Sequence, residues 1–221
     1  MHDHTYIEIR DQAWLLLPDK AAFWVDQKML IVSDIHLGKS GHFRKSGIAA
    51  PVNITQKTLE RLGNLIENLH PETVLFLGDL FHSEANREWF LFESWLENVQ
   101  NISFKLVSGN HDVLHSSFYK KCGIEVYPYL DSKPFLFVHD LDEYSLHAKD
   151  QLTVAGHVHP CITVRGKGRQ SLRLPCFLFS ESRILFPAFG DFTGMHSIKP
   201  LETDRVYVVV DHSVIELNQK K

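Results

Sequence analysis

Cysteine is scarce and poorly placed for either of its structural uses. Cys122, Cys161 and Cys176 are odd in number, widely separated and never paired as CxxC, which excludes a disulfide framework and a cysteine-based zinc site. They read as small buried apolar residues. An excess of positive charge is also lacking: 23 Lys and Arg against 27 Asp and Glu leave a net charge of −4, so the chain has no global attraction for nucleic acid. No segment approaches the roughly 18 apolar residues of a membrane-spanning helix. Met1-His2-Asp3-His4 lacks the basic start and apolar run of a secretory signal, so an intracellular, cytoplasmic protein is expected. Internal repeats, low-complexity tracts and linkers are missing as well. A length of 221 residues with 44% hydrophobic and 23% charged composition suits a single domain over 1–221.

Histidine is what the chain has in quantity. Its 14 copies direct attention to metal ligation, for which neutral imidazole is a common donor. The order of elements supplies the context. Tyr6–Ile9, Ala13–Leu17 and Phe23–Val25 read as strands, with a turn signal at Pro18-Asp19. Short continuous apolar runs follow at Met29–Val32, Val74–Leu77, Phe104–Val107, Phe135–Val138 and Leu152–Ala155, the pattern of strands buried on both faces. Between them, Leu62, Leu65, Ile66 and Leu69 fall at helical spacing within Thr55–Leu69, and Pro71 stops that helix. A second helix is expected over about Asn86–Asn98, and Tyr119–Gly123 closes a shorter one. Val206–Val210 and Val214–Leu217 form a hairpin turning at Asp211-His212-Ser213. Helices alternate with strands in the middle and strands dominate both ends. The expected fold class is α/β, a β-sandwich of two mixed sheets flanked by helices.

Each buried run ends in residues of ligand type: Asp34 and His36 after Val32, Asp79 after Leu77, Asn110, His111 and Asp112 after Val107, His139 after Val138, and His157 and His159 after Ala155. Open α/β sheets bind ligands at the carboxyl ends of their strands, so these groups should converge on one edge. In Asp34-x-His36 and His157-x-His159, an extended backbone would put both side chains on one side. Gly78, Gly109 and Gly156 precede ligands and permit close backbone approach. Taken singly, a strand-end Gly-Asp is usually a turn and a lone His is usually structural. Five such endings in order favour a metal site.

The set Asp34-x-His36, Gly78-Asp79, Gly109-Asn110-His111, His139 and Gly156-His157-x-His159 resembles the calcineurin-like metallophosphoesterases. The flanks Ser33–Lys39, His42-Phe43-Arg44, Gly47-Ile48, Pro51 and Pro187–Gly194 look like the bacterial ligase-associated DNA damage response phosphoesterases. One departure stands out: Asp140 follows His139 where family members often carry Gly. The resemblance implies one metal held by Asp34, His36 and His159, a second by Asn110, His139 and His157, and Asp79 bridging them. A bridging hydroxide would attack phosphorus in line. His111 would stabilise phosphoryl oxygens and protonate the leaving oxygen, with Asp112 orienting its ring. Mixed oxygen and nitrogen donors favour Mn²⁺, with Fe or Zn²⁺ as alternatives, over Mg²⁺ or Ca²⁺. The resemblance further implies DNA as substrate and association with DNA ligase, helicase and exonuclease.

Lys39 and Arg44 follow the first ligand pair and could meet a substrate phosphate, although a surface pair accounts for them equally well. His82, three residues after Asp79, could face the substrate too, but the sequence assigns it no role. The cluster Arg165, Lys167, Arg169 and Arg173 suits a polyanion or a solvated surface. Three functions are therefore compared. A DNA phosphodiesterase leads. A hydrolase of a small nucleotide or lipid-linked pyrophosphate would use the same metals. A non-catalytic binding module of the same fold, as in a retromer subunit, would have lost ligands that are all present here.

Overall fold

The computed structural model describes residues 4–39, 53–82, 85–144, 150–166, 170–191 and 193–217. Arg44, Lys167, Arg169 and all of the His42–Pro51 stretch lie outside the described residues. Two sheets carry the fold. The first has strand order β1 (Thr5–Ile9), β2 (Gln12–Leu17), β3 (Ala21–Trp24), β4 (Met29–Ser33), β5 (Thr73–Leu77), β6 (Ser103–Val107) and β7 (Ile124–Tyr127). It is mixed: β1 to β4 pair antiparallel, whereas β4 to β7 pair parallel. The parallel half needs crossovers, supplied by α1 (Ile54–Leu69), α2 (Arg87–Glu97) and α3 (Ser116–Lys121).

The second sheet contains β8 (Leu130–Ser132), β9 (Phe135–Val138), β10 (Leu152–Ala155), β11 (Pro160–Arg165), β12 (Ser171–Phe179), β13 (Arg183–Leu185), β14 (His196–Ser197), β15 (Arg205–Val210) and β16 (Ser213–Glu216). A four-residue helix, α4 (Leu141–Tyr144), follows β9. Strands β9, β10 and β13 are mutually parallel, so β9 and β10 end at the same edge. The hairpin β11–β12 starts directly after His159, and β14 pairs with β11.

The period of two along β4, β5 and β6 divides their side chains between two cores. Leu30, Val32, Val74, Phe76, Phe104 and Leu106 face α1 and α2, packing with Leu59, Leu62, Trp89 and Phe92. Ile31, Leu75, Leu77 and Val107 face the second sheet, meeting Phe135, Phe137, Val154, Phe177 and Phe186. Trp14 and Trp24 stack at 5.6 Å between ring centroids, and Phe135 packs edge-on against each at 5.0 Å. Such aromatic geometry adds about 0.5–1.5 kcal/mol per pair to the burial itself.

The helix ends follow from local chemistry. His70 closes α1 in a left-handed conformation, its N–H bonded to Ile66 O at 3.0 Å, and Pro71 prevents continuation. Asn86 caps α2, its Oδ1 accepting from Glu88 N at 2.7 Å. The strand expected over Phe23–Val25 stops at Trp24, because Val25 begins a 3₁₀ turn. The short third helix begins at Ser116, where the His115 ring accepts from Ser117 N, and closes at Lys121 within the expected Tyr119–Gly123 end.

Candidate metal centre

Five strand ends meet where the edges of the two sheets face each other. β4, β5 and β6 deliver Asp34, His36, Asp79 and Asn110; β9 and β10 deliver His139, His157 and His159. Two groups of donor atoms form. Asp34, His36 and His159 bring their ligand atoms within 4.8 Å of one another, as do Asp34, Asp79 and His139. Around the second group, His139 Nε2 lies 2.9 Å from Asn110 Oδ1, 3.2 Å from His157 Nδ1 and 3.5 Å from Asp79 Oδ1. Asp79 therefore sits between the two sets, since its other oxygen is 3.6 Å from His36 Nε2. All seven expected ligands are brought together.

Backbone geometry differs from the expectation of extended chain. Asp34, His36, Asp79, His157 and His159 all adopt positive φ, between 49° and 63°. Left-handed residues turn the chain sharply after β4, β5 and β10, so convergence there comes from these kinks and not from the alternation of a β-strand. The glycines behave as expected. A side chain at Gly78 would overlap the His139 ring, and one at Gly156 would overlap Ser33 Oγ and the Asp34 carboxylate.

Hydrogen bonds fix the ligands from behind. Asp34 is fully buried; its carboxylate accepts from the Ser33 hydroxyl and from His157 N at 3.0 and 3.2 Å. His159 Nδ1 donates to Gly194 O at 3.0 Å, which leaves Nε2 facing Asp34 Oδ1 at 3.1 Å. The chain leading to Gly194 is itself anchored to β4: Phe189 N donates to Ser33 O at 2.7 Å and Gly190 N to Asp34 O at 3.2 Å. Arg61 on α1 clamps Asp191 at 3.0 Å, bonds Phe189 O and lies over the Phe189 ring at 4.2 Å, while Lys20 reaches Asp191 at 3.2 Å. This clamp has no signal in the sequence, because its members are far apart in the chain.

Electrostatics suit a cation. Burial first, and then the nearby Lys39 charge, push the His36 imidazole down to about 3, so it is a neutral donor. Burial alone would raise the Asp34 carboxyl, but its contacts with His159, His139 and Ser33 outweigh that and hold it below the ordinary value. His159 moves the opposite way, raised because Asp34 and Gly194 O outweigh its desolvation. The strongest sign of a missing charge is His36, whose two buried ring nitrogens have no hydrogen-bond partner among the described residues. Buried polar atoms left unpaired are costly; divalent ions between these donors would satisfy them, so the residues fit a metal pair.

His111 lies beside the cluster and outside both donor groups. Its N–H donates to Asp79 Oδ1 at 2.8 Å, and its ring is 5.6 Å from that of His36. The expected contact between Asp112 and the His111 ring is corrected: the Asp112 carboxylate accepts from Gly109 N at 2.8 Å, Phe81 N at 3.0 Å and Tyr119 Oη at 3.2 Å. Asp112 thus ties the two ligand loops together, and burial raises it to about 6 against those donors. His82 is better placed than sequence alone suggested, with its ring 4.1 Å from His111 and 5.3 Å from His36. Lys39 faces the site: burial lowers it, opposed by Asp79 and Asp34. Arg173, in contrast, is engaged locally through a bond to Met195 O.

A model of the calcineurin-like phosphoesterase family matches residues 27–193. The chain is 34% identical to the nuclease MPE of Pseudomonas putida, with a TM-score of 0.82 over 97% of this chain and 100% of that one. The phosphoesterase Yfce of E. coli is 15% identical, with a TM-score of 0.44 over 86% of this chain and 97% of that one. Protein AQ665 of Aquifex aeolicus is 20% identical, with a TM-score of 0.44 over 64% of this chain and 82% of that one. No curated protein matches the chain.

Proposed function

Because the chain belongs to the calcineurin-like phosphoesterase family, we propose that it is a metal-dependent phosphodiesterase that cleaves DNA. The observation that carries this reading is the buried imidazole of His36, without a hydrogen-bond partner among the described residues, set between Asp34 and Asp79. The similarity to a nuclease over nearly the whole chain supports DNA as the substrate.

Asp34, His36, Asp79 and His159 would hold one ion, and Asp79, Asn110, His139 and His157 the other. Bound there, two divalent ions would supply a nucleophile from water near neutral pH and offset charge developing on phosphorus. Manganese is the proposed ion, since mixed carboxylate, amide and imidazole donors suit it; iron and zinc suit them also. His111, beside the cluster and outside both donor groups, protonates the leaving oxygen. Lys39, partly buried and facing the carboxylates, binds a non-bridging phosphate oxygen of the substrate. Asp112 acts through the backbone, holding the His111 loop against that of Asp79.

The test is hydrolysis by the metal-free protein after loading with Mn²⁺, measured on single-stranded DNA, a small chromogenic phosphodiester and a phosphomonoester. Cleavage of DNA and the diester is expected. Activity confined to the monoester, or to a nucleotide pyrophosphate added as a fourth substrate, would remove the DNA reading. Inactivity on all of them would favour a binding module.

A further inference from the structure

The three candidate-ligand histidines that follow β9 and β10 share one arrangement: each has an acceptor near the ring nitrogen other than the one facing the donor cluster. His159 has Gly194 O at 3.0 Å, and His139 has Leu77 O at 3.5 Å. Behind His157 the group is a carboxylate, with Asp140 Oδ2 lying 3.6 Å from Nε2. We infer that Asp140 is a positioning residue for the second metal site, holding the His157 proton on Nε2 so that the Nδ1 lone pair faces the ion. The inference rests on the metal reading above.

Both ends of this contact are anchored. The main chain of His157 is pinned by its N–H bonds to Asp34 and by its left-handed φ of 63°. Its Nδ1 is 3.2 Å from His139 Nε2, within the donor cluster. Asp140 precedes α4, and its Oδ1 accepts from Asp142 N at 3.1 Å, as a helix-capping carboxylate does. That bond occupies one oxygen and leaves Oδ2 directed at His157. A separation of 3.6 Å is an ion-pair distance, beyond a hydrogen bond. Negative charge at that place still favours a proton on the facing nitrogen. Ligand imidazoles commonly present their second nitrogen to a carboxylate or carbonyl, and removing that partner lowers metal affinity by roughly 10–100-fold.

Asp140→Asn separates this role from a structural one. Asparagine caps a helix about as well as aspartate, but its amide NH₂ turned toward His157 would favour a lone pair on Nε2 and the proton on Nδ1. Two measurements decide. Long-range ¹H–¹⁵N spectra of the metal-free, full-length protein at alkaline pH should show His157 mainly protonated on Nε2, and D140N should shift protons to Nδ1. Titration with Mn²⁺ should then show the second ion bound roughly 10–100-fold more weakly in D140N, with the first ion and the metal-free melting temperature unchanged. Wild-type protein that binds two ions, beside a D140N with the same tautomer and the same affinities, overturns this inference and leaves the metal reading standing. A wild-type protein that takes up no Mn²⁺ overturns both.

Discussion

His36 Nε2 lies 3.6 Å from Asp79 Oδ2 while both side chains are buried and the imidazole makes no hydrogen bond among the described residues. A neutral ring and a carboxylate in that relation are two donors of electron density separated by the space a cation would occupy. Asp79→Asn should therefore release both ions, because it weakens the carboxylate lying between the two donor sets. Metal analysis of the purified variant checks this, and retention of two ions would mean that Asp79 is not shared.

His111→Ala should keep the metal content near that of the wild type and lower kcat by roughly 10²–10⁴, the usual worth of general acid–base help. If the variant is recovered without metal, His111 is a ligand and not the proton donor.

The clamp on Asp191 predicts an acid-sensitive contribution to stability. Burial pushes this carboxyl up, but Arg61 and Lys20 outweigh it and hold it below the ordinary value. A depressed carboxylate contributes above its unfolded value near about 4, and that contribution is lost as pH falls through the folded value. Asp191 is half-exposed, so Asp191→Asn should cost no more than about 1 kcal/mol at pH 7. Urea unfolding at about pH 2.5 should bring the two proteins together. A gap that widens on acidification would contradict the assignment.

Metal removal should loosen the whole molecule, because the ligands come from both sheets. At a metal concentration 100 times Kd, binding adds about 2.7 kcal/mol. At about 2–4 °C per kcal/mol for a chain of this size, chelation should lower Tm by roughly 5–10 °C. A Tm indifferent to chelator would argue against a site that spans the sheets.

Salt dependence tests the β11–β12 hairpin. Replacing Arg165, Lys167 and Arg169 with Gln should flatten the salt slope of single-stranded DNA binding, by about 0.7 per lost phosphate contact. Arg173→Gln should change it less, because that guanidinium bonds Met195 O. Hydrolysis of a small diester should be unaffected in both. An unchanged slope in the triple variant would remove the hairpin from DNA binding.

The central part of the fold was legible because β4, β5, β9 and β10 are buried on both faces and read as short, mostly apolar runs, and β6 is broken only by half-buried Lys105. Each run ended in a candidate ligand, which made the candidate metal set legible too. The strands β7, β8, β11, β13 and β14 were not assigned, since they are short or mixed in polarity. Strand β12 hides its length because its first half is exposed while its second half is buried. Contacts between distant segments, such as Arg61 with Asp191 or Asp112 with Phe81 N, have no local signature. The i, i+2 spacing of Asp34-x-His36 and His157-x-His159 implied an extended backbone, whereas these residues hold left-handed φ values.

Those left-handed ligands set the terms on which the site can be inherited. Asp34, His36, Asp79, His157 and His159 each hold a conformation that costs a side-chain-bearing residue about 1 kcal/mol or more. Glycine would adopt the same backbone without that cost, and it would remove the ligand at the same stroke. A descendant freed from the need to hydrolyse anything should drift toward glycine at these five places, becoming sturdier as it becomes inert.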